Sequence, residues 1–597
     1  MNGFTPEDQA MGKNKKSLSR AVGAQKRNWA PAVLPAMMWA LSAQAAPDAG
    51  QLLNEQQRLE QSAPRLPAPS APAVQLPSLD AVAAQPGLRA RIERVRFTGA
   101  DGLVEEASLQ ALVADARGRT LSHAQLLQLA SRVSQALQAA GYPLARAYLP
   151  RQDLSEGELE IAVLPGRLQS GAERIKVLNA EPALAAWLAA IADAALPPGP
   201  VRSEQLERAL LLINDVPGVQ ARASLEKGKD AGSSRMLVRA DSSRRWDAQL
   251  GLDSFGNRYT GEWRSSAQAQ LYRPFAADDV LNASLSHARG NDQLALGYGV
   301  GLNPQGLRAQ LNTSLLRYEL GGESAPLGLS GTAGSLSAGL SYPLLRARGA
   351  NLWGSVELER KSMNDKALGQ EIRARRVVKA SATLSGNLVA PQLGQLAQHE
   401  MSLGLAGGQL KLDNAADSLV DALSARTAGG FSKLFWRASR VQSFEAAPDW
   451  SLFLGASGQQ GGRNLDSSEK FILGGPAGVR GQAMGEASGD SGWLMNLELR
   501  RDFSLAQGLR AQALGFVDHG RIQLHARPWT GALSAAQSNG YALSGAGLGL
   551  NLYGERWTLR SAYARALGDN PGLSPKGLNA DGRSGRNHLW VQAALRF

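Results

Sequence analysis

From Trp246 onward the chain is built of short runs in which apolar and polar side chains alternate. Trp246, Ala248, Leu250 and Leu252 alternate with Asp247, Gln249, Gly251 and Asp253. Trp263, Ala267, Ala269 and Leu271 alternate with Glu262, Arg264, Gln268 and Gln270, and the dyad recurs at 352–358, 493–499 and 557–563. In the last run Leu589, Val591, Ala593, Leu595 and Phe597 alternate with Gln592, Ala594 and Arg596. A period of two places successive side chains on opposite faces of a strand. Turns rich in Gly, Asn, Asp and Pro separate the runs, and the helical signal disappears over this whole region. No uncharged apolar run reaches the ~18 residues of a membrane helix, so a membrane location demands a closed barrel, whose backbone leaves nothing unpaired toward lipid. A sandwich or propeller would alternate too, but tryptophans at so many strand ends suit the interfacial girdles of a barrel. About 350 residues, at roughly 20 to 25 per strand plus loop, predict about 14 to 18 antiparallel strands, centred on 16.

The 597 residues exceed the needs of one domain. Cysteine is absent, which excludes disulfides and thiolate metal sites. The net charge of +12 is spread over scattered Lys and Arg without a concentrated basic face, so nucleic acid is not an expected partner. Lys13, Lys15, Lys16, Arg20, Lys26 and Arg27 precede the apolar stretch 29–41 and the small residues Ala43-Gln44-Ala45. This pattern predicts a signal peptide over residues 1–45, cleaved after Ala45.

Between these regions the composition changes twice. Residues 51–60 are strong helix formers with few apolar positions, Leu52, Leu53 and Leu59. Pro64, Pro67, Pro69, Pro72 and Pro77 follow in an extended tether over 63–90. Such a helix on a leash either binds a groove or pore elsewhere or stays disordered. A compact α+β module is expected over 91–166, with a strand at 91–97, helices at 106–116 and 122–140, and strands at 144–149 and 158–164. Leu126, Leu129, Val133 and Leu137 share one face of the second helix, and Gly141 stops it. The order recurs over 167–241, and the barrel is expected over 242–597. Exposed sheet edges in small modules bind extended peptides by strand addition.

Four stretches resemble the outer-membrane transporters of two-partner secretion. Gly141-Tyr142-Pro143-Leu144 through Leu149-Pro150-Arg151-Gln152, with Gly157-Glu158-Leu159, is similar to the signature end of that family's first polypeptide-transport-associated (POTRA) domain. Leu252–Asn257 with Thr260-Gly261 is similar to its first barrel hairpin. Gly478-Val479-Arg480-Gly481 resembles the Val-Arg-Gly-aromatic motif on a loop that folds back into the barrel, with Gln482 in place of the aromatic. Phe516-Val517-Asp518-His519-Gly520 matches the family's Phe-x-Asp-x-Gly pattern, and the terminal Phe597 is typical of bacterial outer-membrane barrels. By alternation Leu514, Phe516 and Asp518 share a face, which must be the lumenal one because an aspartate faces lipid only at high cost. Arg480 lies among Gly474, Gly475, Gly478 and Gly481, residues that let a loop turn tightly against a wall.

The resemblance implies an ion pair between Arg480 and Asp518 that holds the loop in the pore. It also implies two POTRA domains and a plug helix over 46–62. The implied activity is export of a specific large exoprotein of adhesin or cytolysin type, bound by POTRA domains in the periplasm. No cofactor, metal or nucleotide hydrolysis is expected. Gly489-Asp490-Ser491-Gly492 lacks the context of a protease nucleophile, and the six histidines lack metal-ligand spacing. The expected fold is therefore mainly β: a transmembrane antiparallel barrel of about 16 strands in outer-membrane lipid, preceded by two small α+β domains and a plug helix. The competing function is a general factor that assembles other barrels.

Overall fold

The computed structural model describes residues 46–62, 74–75, 87–230, 232–241, 244–392, 395–505, 508–533 and 537–597. The expected signal peptide and most of the tether lie outside the described residues. The first helix is Ala49–Ser62 (α1).

The first module comprises strands Arg89–Ile92 (β1) and Arg94–Thr98 (β2), helix Glu106–Leu112 (α2), strand Arg119–Ser122 (β3), helix His123–Ala139 (α3), and strands Arg146–Tyr148 (β4) and Glu158–Leu164 (β5). The single strand expected over 91–97 is broken, because the amides of Glu93 and Arg94 both donate to the Gly157 carbonyl, at 2.7 and 3.1 Å. Its first half begins at Arg89 and pairs instead with β3, a strand the composition did not reveal. Ser122 and Gln125 form a reciprocal capping box that fixes the start of α3. Its buried face, Leu126, Leu129, Val133 and Leu137, packs on Ile92, Leu159 and Ile161.

The second module comprises strands Arg167–Leu168 (β6) and Ile175–Leu178 (β7), helices Pro182–Ala195 (α4) and Ser203–Asn214 (α5), and strands Gln220–Lys227 (β8) and Ser233–Asp241 (β9). Both β6 and β7 run parallel to β9, and β8 pairs antiparallel with β9. Leu188, Ile191, Leu206, Leu210 and Ile213 fill the core between helices and sheet.

Sixteen antiparallel strands then close into one barrel. They are Trp246–Asp253 (β10), Arg264–Tyr272 (β11), Asp279–Ala288 (β12), Asn291–Gly301 (β13), Arg308–Glu319 (β14), Ser330–Arg346 (β15), Ala350–Ala367 (β16), Gln370–Gln392 (β17), Gln395–Leu412 (β18), Gly429–Phe444 (β19), Ala447–Gly461 (β20), Ser491–Ser504, Arg510–Gln523, Gly540–Tyr553, Trp557–Leu567 and Asn587–Arg596. The last strand closes on β10 from Gln249↔Arg596 to Asp253↔Gln592. Leu250, Leu252, Leu285, Leu315, Leu358, Leu405 and Leu548 point outward and are exposed, as a lipid-facing band requires. Strands β15 to β19 run 16 to 23 residues, beyond the ~9–11 that cross a bilayer. At the barrel end that meets the second module, Arg346 pairs with Asp215 at 2.7 Å and the Trp187 indole donates to Asp278 at 3.1 Å.

One expectation fails within this region: Ala415–Leu423 (α6) is a helix between β18 and β19. Asn414 caps it, its side chain accepting from the amides of Ala416 and Asp417. Nine residues are too few for helical periodicity to stand out against the alternation around them.

Candidate functional site

The inward face of the barrel, the segment 462–490 between β20 and Ser491–Ser504, and α1 form one packed unit. The segment turns back on itself at its tip. There the amide of Gly478 donates to the Gly475 carbonyl, that of Val479 to Leu473, and that of Gln482 to Val479. Leu473 and Val479 are buried against Leu494, Ile522 and Leu543 on the wall. A Cβ at Gly481 would stand 2.7 Å from the backbone of Arg565 and Ala566, so only glycine lets the tip lie this close. Gly520 has the matching role on the wall, where a Cβ would meet the Leu473 side chain at 2.4 Å.

This seating carries Arg480 to Asp518. Its Nε and Nη2 donate to the two carboxylate oxygens at 2.9 and 2.7 Å, and its backbone amide donates to the same group at 3.0 Å. Its Nη1 donates to Glu498 at 2.7 Å, and the guanidinium lies 3.5 Å from the centre of the Phe516 ring. Asn496 donates to Asp518 at 2.7 Å and to the Gly478 carbonyl at 3.2 Å. Trp590, on the last strand, donates to the Arg480 carbonyl at 2.8 Å. Asp518 is wholly buried, whereas Val517 and His519 lie on the opposite, exposed face. Gln482 is buried too, a polar side chain where the family motif carries an aromatic.

Helix α1 meets walls on several sides. Arg264 on β11 donates to Gln56 at 2.6 Å, Gln57 donates to Glu359 on β16 at 3.2 Å, and the Ala49 amide donates to Asp365 at 2.8 Å. The loop grips it as well: Arg58 donates to the carbonyls of Ile472 and Ala477, and Asn54 to that of Lys470. Contacts to opposed strands and to the inward loop put the helix in the lumen. Leu52 and Leu53 are buried and Leu59 half-buried.

Two charge centres that the motifs did not single out hold this arrangement. Arg375 on β17 contacts Asp365 on the wall at 2.7 Å, Asp466 on the loop at 2.8 Å and Asp48 beside α1 at 3.1 Å. Glu469, on the turn Ser467–Glu469, takes Lys361 and Lys433 at 2.8 Å and Lys379 at 3.4 Å. The signal available in sequence was charge at inward positions of alternating strands, but the partners lie 91 and 108 residues away.

The remaining motif residues sit elsewhere, in the first module, and are not brought to the lumen. Gly141 has φ of +93°, and its carbonyl accepts from the amide of Ser203 in the second module. The Tyr142 hydroxyl accepts from Arg202 at 3.2 Å. Leu149 packs on the module core. Gln152 bridges the Pro150 carbonyl and both backbone groups of Glu160, and Gly157 turns the chain at φ of +71°. These residues shape the module and its junction with the next.

Residues 232–552 match the model of a family described as haemolysin secretion/activation protein ShlB/FhaC/HecB, and residues 90–166 match the ShlB-type POTRA domain. The heme/hemopexin transporter protein HuxB of Haemophilus influenzae is 25% identical over 440 residues, covering 73% of this chain and 76% of its own. The outer membrane transporter CdiB of Dickeya dadantii is 23% identical over 415 residues, 68% and 72% of the two chains. Among solved structures, CdiB from Escherichia coli superposes with a TM-score of 0.66 at 20% identity, covering 95% of this chain and 99% of that one. CdiB from Acinetobacter baumannii gives 0.59 at 17% identity.

Proposed function

The chain belongs to the haemolysin secretion/activation protein family, and we propose that it is an outer-membrane pore that recognises one large exoprotein and passes it across the membrane without nucleotide hydrolysis. The observation that carries this reading is a closed barrel whose lumen is filled by a helix and a loop held by reversible, non-covalent contacts, most of them polar on the helix. A passive porin has no use for such a removable filling, whereas an exporter must seal its pore between substrates. The two modules, read as POTRA domains in the periplasm, capture the unfolded exoprotein, of adhesin or cytolysin type. Helix α1 acts as the plug, and folding of the exoprotein outside supplies direction.

In this scheme Arg480 and Asp518 anchor the loop. A guanidinium held bidentately in a confined space, with a second carboxylate and a ring face around it, fixes both position and orientation. Arg480→Ala and Asp518→Ala should each abolish export while leaving the barrel assembled, read as exoprotein in the medium against heat-modifiable barrel in the membrane. Unchanged export in both variants would remove the anchor. Deleting residues 46–62 should raise conductance in planar bilayers, and an unchanged conductance would remove the plug.

A further inference from the structure

On its lipid-facing side the wall β14–β18 changes character at one level. Along β16 the outward residues Leu352, Val356 and Leu358 are exposed and apolar, and the next outward residue is Arg360. Its chain neighbours Glu359 and Lys361 are buried in the lumen, so Arg360 faces the other way, toward lipid. The same boundary separates Val378 from Arg376 on β17 and Leu315 from Arg317 on β14. On β18 Gly407 and Gln409 intervene between Leu405 and Lys411. The turn into β16 meets the second module, Arg348 pairing with Glu207 at 3.4 Å. From Ala350, just past that turn, Arg360 is about ten residues along the strand. At ~3.3 Å per residue and a tilt of about 40° it stands roughly 25 Å higher, the height of a barrel's apolar band. The basic residues therefore mark the level at which the hydrocarbon of the outer leaflet ends.

A lone arginine at that level reaches water with its long stem and needs no ligand. Here the cations are gathered. Arg360 pairs in register with Leu336 on one side and Val378 on the other, both exposed and apolar, and among the described residues its guanidinium has no polar partner. Arg376 is its diagonal neighbour, and Lys411 lies directly across from Arg376. Like charges that face each other across a ladder repel. Asp413 stands between these two, taking Arg376 at 2.6 and 2.7 Å and Lys411 at 3.6 Å. Three cations thus share one carboxylate. Arg317 faces Asp292 across its own ladder, so the surplus of positive charge lies on β16 to β18.

We propose that this patch binds a phosphorylated glycolipid of the outer leaflet, the lipid A portion of lipopolysaccharide. A phosphate lies among Arg360, Arg376 and Lys411, and acyl chains lie on Leu336, Leu358 and Val378. Guanidinium forks match phosphate oxygens bidentately, and an ammonium adds a point charge. Basic side chains just outside the hydrocarbon stand where anionic head groups lie. A soluble anion would leave the apolar half of the patch unused, and a neutral lipid would leave the charge uncompensated. Such a lipid also accounts for the length of β15 to β19, whose upper parts continue past this level and stand among sugars rather than acyl chains. The proposal depends on the outer-membrane location of the family and is independent of what the pore exports.

Arg360→Gln with Lys411→Gln removes two cations and leaves the Arg376–Asp413 pair intact. Arg440→Gln with Arg501→Gln removes two from the outer face near the opposite rim and is the charge-matched control. The full-length protein, stripped of lipid in detergent, is titrated with diphosphoryl lipid A and followed by native mass spectrometry. The parent should hold the lipid, the patch variant should bind it about tenfold more weakly, and the control should stay within about twofold of the parent. Phosphatidylglycerol should bind the parent at least about tenfold less tightly than lipid A. Heat-modifiable mobility checks that each barrel is folded. Should the double variant not assemble, Arg360→Gln alone, which breaks no contact within the protein, should weaken binding about threefold. Equal affinity in the patch variant and the parent would overturn the proposal. So would an equal loss in the control, or phosphatidylglycerol binding as tightly as lipid A.

Discussion

Arg480 owes its position to glycines as well as to its own contacts. Its side chain reaches Asp518 and Glu498 only because Gly481 lies against the Arg565–Ala566 backbone and Gly520 leaves room for Leu473. Gly481→Ala should therefore reduce export as severely as loss of the arginine, although it removes no charge. Arg480→Lys keeps the charge but cannot fork onto Asp518 and also hold Glu498. Removing one partner of a buried pair costs about 3–5 kcal/mol, enough to unseat a loop tip, and Arg480→Lys should cut export at least about tenfold by the same route. Arg480 and Asp518 were legible in the sequence because each sits in a short motif and alternation fixes the lumenal face of Asp518. Arg375 and Glu469 were not, because neither belongs to a motif and their partners come from distant strands and turns.

At the scale of elements, the balance between α1 and its surroundings depends on pH. Burial pushes the Glu55 carboxyl up to about 7 from 4.5, against the opposing pull of Gln51, Arg58 and Arg264. A carboxyl raised in the docked state favours docking while it is protonated. That contribution is complete below about 4.5 and is lost as pH rises through about 7. Asp48 works oppositely: burial alone would raise it, but Arg375 and Arg373 hold it well below the usual carboxylate range, so its contribution fades only in strong acid. Between pH 5 and 8 the Glu55 effect governs, on the order of 3 kcal/mol. Conductance should then be higher at pH 8 than at pH 5.5, and Glu55→Gln should flatten the difference in single-channel recordings. An unchanged pH dependence in that variant would contradict the assignment. Glu469→Gln should loosen the turn beneath α1, since three lysines then share a neutral partner, and it should raise conductance without touching the Arg480 contacts. The strands were legible from their period of two, and the family match and fold bear out a 16-stranded barrel. Helix α6 and the break between β1 and β2 were not legible, because each depends on a local cap or a single carbonyl rather than on periodicity.

At the scale of the whole molecule, the barrel is filled from within by α1 and the inward loop. The closed barrel leaves no sheet edge toward lipid, and the two modules precede it in the chain. A general assembly factor would act on many client barrels; a dedicated exporter acts on one cargo. The decisive measurement compares, by mass spectrometry, the proteins released into the medium by cells with and without this chain. Dedicated export is expected to show as selective loss of one large exoprotein, with the outer-membrane proteome otherwise unchanged. A broad fall in many outer-membrane proteins, with no exoprotein singled out, would contradict it.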